Sequence, residues 1–176
     1  MRRYVGGAAV ALPVVAILLA VSAPATAEAT GNENFNGVIV TSGLSGARVV
    51  VSSVIVAKGV FNGVGRIVEI QNLPGDPDNA SRDDLVFAGG TMHLLSTTVD
   101  ASFSLNPRSC IFSVTVQQTS EIVGGTGRFA AARGSSSNAT VRVLGVAARN
   151  PDGSCSQEQA PRHEVDVIAS TGTLSF

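Results

Sequence analysis

From about residue 35 onward the chain is a succession of short runs rich in Val, Ile, Thr and Phe, cut by Gly, Asn and Pro. Apolar residues at helical spacing are hard to find there. Runs of this kind, bounded by turn formers, predict an antiparallel all-β domain, either a barrel or a sandwich. The predicted strands lie near 35–41, 47–57, 60–71, 84–88, 91–99, 110–121, 137–148 and 163–175. Eight strands suit a small closed barrel. Asn62-Gly63 and Gly89-Gly90 are suited to tight hairpin turns. Asn72 to Asn79, with two prolines and a glycine, reads as a long polar loop of the kind that rims a barrel mouth. No solenoid-type repeat is present.

Two strands carry extra information through their periodicity. In 110–121, Phe112, Val114 and Val116 share one face and Ser113, Thr115, Gln117, Thr119 and Glu121 the other, as in one wall of a barrel. In 49–56, Val49-Val50-Val51-Ser52-Ser53-Val54-Ile55-Val56, both faces are apolar, which predicts that both are covered. A barrel has a single interior. The second covering is therefore expected from a loop, a terminus or another subunit.

The beginning of the chain has a different pattern. Arg2 and Arg3 precede an apolar stretch from about Val10 to Val21 and then the small-residue segment Ser22-Ala23-Pro24-Ala25-Thr26-Ala27. This order reads as a cleavable secretory signal over 1–27, with cleavage after Ala25 or Ala27 fitting equally well. The apolar run is shorter than the roughly 20 residues of a permanent span. Residues 28–176 are then one exported domain, large enough to bury a single core without a metal. The Ala-rich signal has a bacterial look, and the expected location is extracytoplasmic or secreted.

Removing Arg2 and Arg3 leaves ten basic against thirteen acidic side chains, a net charge of about −3, so no nucleic-acid partner is expected. Trp is absent and the one tyrosine, Tyr4, leaves with the signal, which excludes mechanisms built on a tyrosine hydroxyl or a tryptophan platform. Cys110 and Cys155 both lie in the exported part, and an even pair in an oxidising compartment reads first as a disulfide. Each sits after an Asn-Pro turn, Asn106-Pro107 and Asn150-Pro151, which suits a bridge at one end of the barrel. His93 and His163 belong to no ligand cluster, and no metal site is expected. A serine hydrolase lacks its G-x-S-x-G elbow here.

The most informative segment is Glu121-Ile122-Val123-Gly124-Gly125-Thr126-Gly127-Arg128-Phe129-Ala130-Ala131-Ala132-Arg133-Gly134. Its glycines cannot form a phosphate loop, which needs a Lys-Ser/Thr pair opening a helix. The segment resembles the GGTGxFxxARG signature of plant dirigent proteins, and allene oxide cyclases carry a related Gly-rich segment with a Phe at the same offset. Weaker similarity extends to Phe87-Ala88-Gly89-Gly90 and Lys58-Gly59-Val60-Phe61. The resemblance implies an eight-stranded, calycin-like antiparallel barrel, a small hydrophobic ligand, no cofactor and a homo-oligomer, a trimer if it follows the plant families.

The same resemblance implies that Arg133 lines the pocket and takes part in positioning or protonating a bound intermediate, with Phe129 plugging the barrel end. Arg128 stands where some dirigent proteins have Asp, a departure from the radical-coupling pattern. Glu121 is the leading carboxylate candidate, because burial in an apolar interior lets such a group exchange protons. Strand parity leaves open whether its face is the interior or the outside. Asp100 and His93 are further candidates for contacting a ligand, each with the plainer alternative of a turn or packing role. The functional expectation is a chamber that imposes one conformation on a hydrophobic molecule and so directs cyclisation or stereoselective coupling. The alternative is a non-catalytic exported carrier or a self-associating structural barrel.

Overall fold

The structure, a computed structural model, describes residues 29–176. The expected signal peptide at 1–27 lies outside the described residues. All eight predicted strands form: β1 (Thr30–Ser42), β2 (Val49–Gly59), β3 (Gly63–Ile70), β4 (Ala80–Phe87), β5 (Gly90–Leu105), β6 (Ile111–Gly125), β7 (Arg133–Val146) and β8 (His163–Ser175). Each pairs antiparallel with its predecessor. β8 returns to β1 in continuous register from Thr30↔Ser175 to Ser42↔His163, closing the barrel. Pairing is thinnest between β2 and β3, from Ile55↔Gly65 to Ala57↔Gly63, beyond which the Ser53 hydroxyl bridges the gap by donating to the Ile67 carbonyl at 2.6 Å and accepting its N–H at 3.2 Å. Among the described residues no helix is long and apolar enough to cross a membrane.

The period-2 alternation read from the sequence becomes inside and outside. Ile39, Ile55, Ile67, Leu85, Met92, Ile122 and Leu174 are buried in the core, one or two from nearly every strand. One end of the barrel is closed by aromatic rings. Phe129, in a single 3-10 turn (Gly127–Phe129) between β6 and β7, is fully buried with its ring centroid 5.2 Å from Phe61, 5.2 Å from Phe176 and 6.0 Å from Phe87. The Arg128 guanidinium lies over the same cluster, 5.1 Å from the Phe129 centroid. The glycines make this packing possible. Gly127 sits at φ +58°, and a Cβ there would collide with the Gly89 carbonyl oxygen of the β4–β5 turn.

The opposite end carries the β1–β2, β3–β4, β5–β6 and β7–β8 connections. Cys110 and Cys155 are bridged there, with Cα atoms 5.4 Å apart. The bond ties the β5–β6 turn to the long β7–β8 loop, which has only an isolated bridge, Arg149↔Cys155, of its own. The Asn72–Asn79 loop lies at this end too, braced by Arg82 donating to both oxygens of Asp76 at 2.6 and 2.7 Å.

Among the described residues no loop or terminus covers the apolar outer face of β2. Val54 pairs with Val38, which pairs with Val167 on β8, and Val40 pairs with Val165, which pairs with Leu144 on β7. These side chains form a continuous strip on the outside, with Val54 40%, Val167 49% and Leu144 60% exposed. Val49, Val50 and Val51 are exposed as well, since a bulge opposite Val40/Thr41 breaks the alternation just where β2 leaves the barrel wall.

Candidate functional site

The barrel holds a cavity of about 80 Å³, room for two or three waters at roughly 30 Å³ each or for a slim apolar chain. Its lining is mainly apolar: Phe35, Ile55, Ile67, Leu85, Leu94, Ile122 and Ile168. Among these, β6, β7 and β8 intersperse polar groups, including Gln118, Ser120, Ser136 and Ser170, with Ala139 and Val141. Ser120 shares a 2.8 Å hydrogen bond with Ser96, and Ser136 donates to the Thr171 carbonyl at 2.8 Å. Below the cavity the aromatic plug closes the barrel.

Above it lies a layer of charge that strand parity creates. Ile67 and Ile168 line the cavity, and two residues farther toward the open end on the same faces stand Glu69 and Asp166, followed by Glu164. Asp83 is directly opposite Glu69 across β3 and β4 and itself lines the cavity. Arg48, from the end of the β1–β2 loop, reaches across this mouth. It donates to Glu69 at 2.6 and 2.8 Å, to Glu164 at 2.8 Å and to Asp166 at 3.2 Å.

Three carboxylates thus hold one guanidinium, with Asp83 beside Glu69 and out of its reach, and their acidities follow. Burial, reinforced by the charges of Glu69 and Asp84 and opposed by Arg48, lifts the Asp83 carboxyl to about 6. Burial and the Glu164 charge, again opposed by Arg48, lift Asp166 to about 6. Arg48 itself is partly desolvated, but Glu69 and Glu164 outweigh that and hold it protonated. Among the described residues no three His, Cys, Asp or Glu side chains are arranged to hold a metal ion.

A further carboxylate lies deep in the barrel. Glu33 is 1% exposed, accepts the Phe61 backbone N–H at 3.1 Å through Oε2, and has no partner for Oε1. Burial raises its pKa, only partly offset by backbone donors such as Phe61.

The residues singled out by sequence are mostly elsewhere. Phe129 is inside, as part of the plug beneath the cavity. Glu121 is on the outside: Phe112, Val114 and Val116 take the inner face of β6, and the parity that buries Ile122 turns Glu121 outward, opposite Leu95 and Ser135. The expectation that it faces the chamber is corrected on that ground. Arg133 is exposed too, folding back to donate to the Ala132 carbonyl at 2.7 Å, because the inward position is taken by Gly134. It makes no ion pair with Glu121. Asp100 is exposed beside a bulge at Thr98/Asp100, paired with the outward-facing Gln117. His93 also points outward, its Nδ1 2.6 Å from Asp84 Oδ1 across β4 and β5. Neither lines the cavity.

Asp83, Asp166 and Arg48 were not singled out by sequence reasoning. For Asp83 a signal existed: it shares parity with Leu85 and Phe87, which marks the inner face. Asp166 likewise shares parity with Ile168. Arg48 offers no such signal, because its partners are 21 to 118 residues away. Compared with known protein families, with curated proteins and with solved structures, the chain matches none.

Proposed function

We propose that this protein is an exported small-molecule-binding barrel, whose interior holds a ligand with an apolar body and one polar end. The single observation that carries the reading is the cavity itself, mainly apolar, with a few polar side chains and one ionisable group, Asp83, in its lining. A chamber of this kind favours one conformer of a flexible ligand, which lowers the entropic barrier to a cyclisation or coupling. Asp83, with its carboxyl near 6, is the group suited to giving or taking a proton there. The Gly124–Gly134 segment and the closed eight-stranded barrel support membership of the allene oxide cyclase and dirigent-like superfamily. The disulfide is compatible with export to an oxidising compartment.

The test is occupancy of the chamber. Ala139 lines the cavity and is 3% exposed, so Ala139→Leu fills the space from within. Hexan-1-ol is expected to raise the thermal midpoint of the wild type and to leave that of Ala139→Leu unchanged. Equal shifts in both proteins, or none in either, would remove the reading.

The exposed Val54, Val167, Val165 and Leu144 strip supports self-association, since exposed apolar patches of this continuity mark contact surfaces. Val54→Lys combined with Val167→Lys is expected to convert the assembly to monomer in sedimentation while the circular dichroism stays that of a barrel. A wild type already monomeric at micromolar concentration argues against it.

A further inference from the structure

The geometry points to a hydrophobic organic cation, a small alkyl- or arylammonium, as the ligand of the barrel interior; this rests on the interior being a ligand chamber. Among the described residues the mouth layer contains four carboxylates, Glu69, Asp83, Glu164 and Asp166, and a single cation, Arg48. Arg48 reaches Glu69, Glu164 and Asp166 but not Asp83. Asp83 is also the only one of the four that lines the cavity. The side chain of Asp166 is 10% exposed, and its Oδ1 is buried without any hydrogen-bond donor. Asp83 therefore brings a charge that Arg48 does not pair to the upper end of an otherwise apolar and hydroxyl-lined space, with the unsatisfied Asp166 Oδ1 in the same charged layer.

Such a site discriminates by charge. A buried carboxylate without a donor is costly, and an ammonium supplies both the opposite charge and up to three N–H donors. An anionic ligand of the same shape meets repulsion from the whole layer, and a neutral alcohol offers one donor and no charge. A metal ion is a poorer fit, because the carboxylates are arranged around the Arg48 guanidinium and not around a common point. Arg48 is thus an internal model for what the layer accepts: a cation on a slender stem. The ligand's own cationic end takes the place beside Asp83 that Arg48 leaves open.

The experiment is calorimetric titration of the processed protein at pH 7.5 with n-hexylamine, hexan-1-ol and hexanoate, which share a chain and differ in charge. The amine is expected to bind at least about tenfold tighter than the alcohol, the difference a charge-assisted hydrogen bond supplies, and hexanoate weakest of the three. Asp83→Asn is expected to bring the amine down to the level at which the alcohol binds the same variant. Arg48→Gln, which removes the competing cation, is expected to tighten the amine in protein that keeps the wild-type circular dichroism. Ala139→Leu is expected to abolish amine binding; binding that survives it is surface attraction and overturns the inference. An alcohol that binds as tightly as the amine, or an Asp83→Asn variant that still prefers the amine, overturns it while leaving the chamber intact. If none of the three compounds binds, the chamber reading fails and this one with it.

Discussion

Phe129→Ala is expected to lower the stability of the barrel by about 4 kcal/mol, the middle of the range for emptying a buried aromatic site. The ring is fully buried among Phe61, Phe87 and Phe176. Its loss removes both apolar burial and three ring–ring contacts, each contributing roughly 0.5–1.5 kcal/mol beyond area. The site has little means of collapsing, because the backbone beneath it is fixed: Phe129 N–H bonds the Thr126 carbonyl at 3.0 Å, and Arg128 N–H bonds the Gly89 carbonyl at 2.9 Å. Phe129→Leu keeps most of the volume and is expected to cost under half as much. Urea denaturation reads this as a lower midpoint with an unchanged slope. A loss below 1 kcal/mol for the alanine variant would mean that the other three rings close the end without it.

The same segment shows what the sequence made legible. The eight strands follow from alternation and turn residues, and the disulfide from two cysteines behind Asn-Pro turns. Both depend on short-range pattern or on pairing order. The site depends on something finer, the absolute face of each residue. A one-residue slip moves a side chain from core to solvent, and β5, β6 and β7 all contain register shifts, at His93/Leu94, Thr98/Asp100, Gln118/Ser120 and Ser135/Asn138. The parity of β6 separated Glu121 from Phe112, Val114 and Val116 correctly but did not say which set was inside. Asp83 lies between the predicted loop 72–79 and the predicted strand near 84–88, whereas β4 begins at Ala80. The sequence pattern falls short at that end because Ser81, Arg82 and Asp83 are poor strand formers in isolation. Pairing with β3 and β5 overrides that preference.

The buried carboxylates make a second large effect expected: the barrel gains stability as the pH falls from about 7.5 to about 4.5. A carboxyl whose pKa is raised on folding binds its proton more tightly in the folded state. Its contribution is therefore complete below the unfolded pKa and is lost as the pH rises through the folded one. Asp83 and Asp166 are each lifted from 3.8 to about 6, which corresponds to about 3 kcal/mol apiece if they titrate independently. They share Arg48 and Glu69 as neighbours, so the joint effect is smaller than the sum. Glu33 is raised in the same direction by burial alone and adds to it. Asp76 works the other way: its bond to Arg82 holds it at about 2, so that contribution is lost in strong acid as the pH falls toward 2. The stability profile should then peak between about pH 4 and 5, below the range common for carboxylate-paired domains. Chemical denaturation at pH 7.5 and 5 measures it, and a profile flat or falling toward acid would contradict the burial of these groups. Asp83→Asn separates the contributions. It is expected to raise stability at pH 7.5 and flatten the acid gain while costing the chamber its ionisable lining group. A residue that destabilises the fold at neutral pH and lines its central cavity is what a site kept for function looks like. If Asp83→Asn instead destabilises the barrel at both pH values, Asp83 is held in place by structure and the chamber has lost its acid.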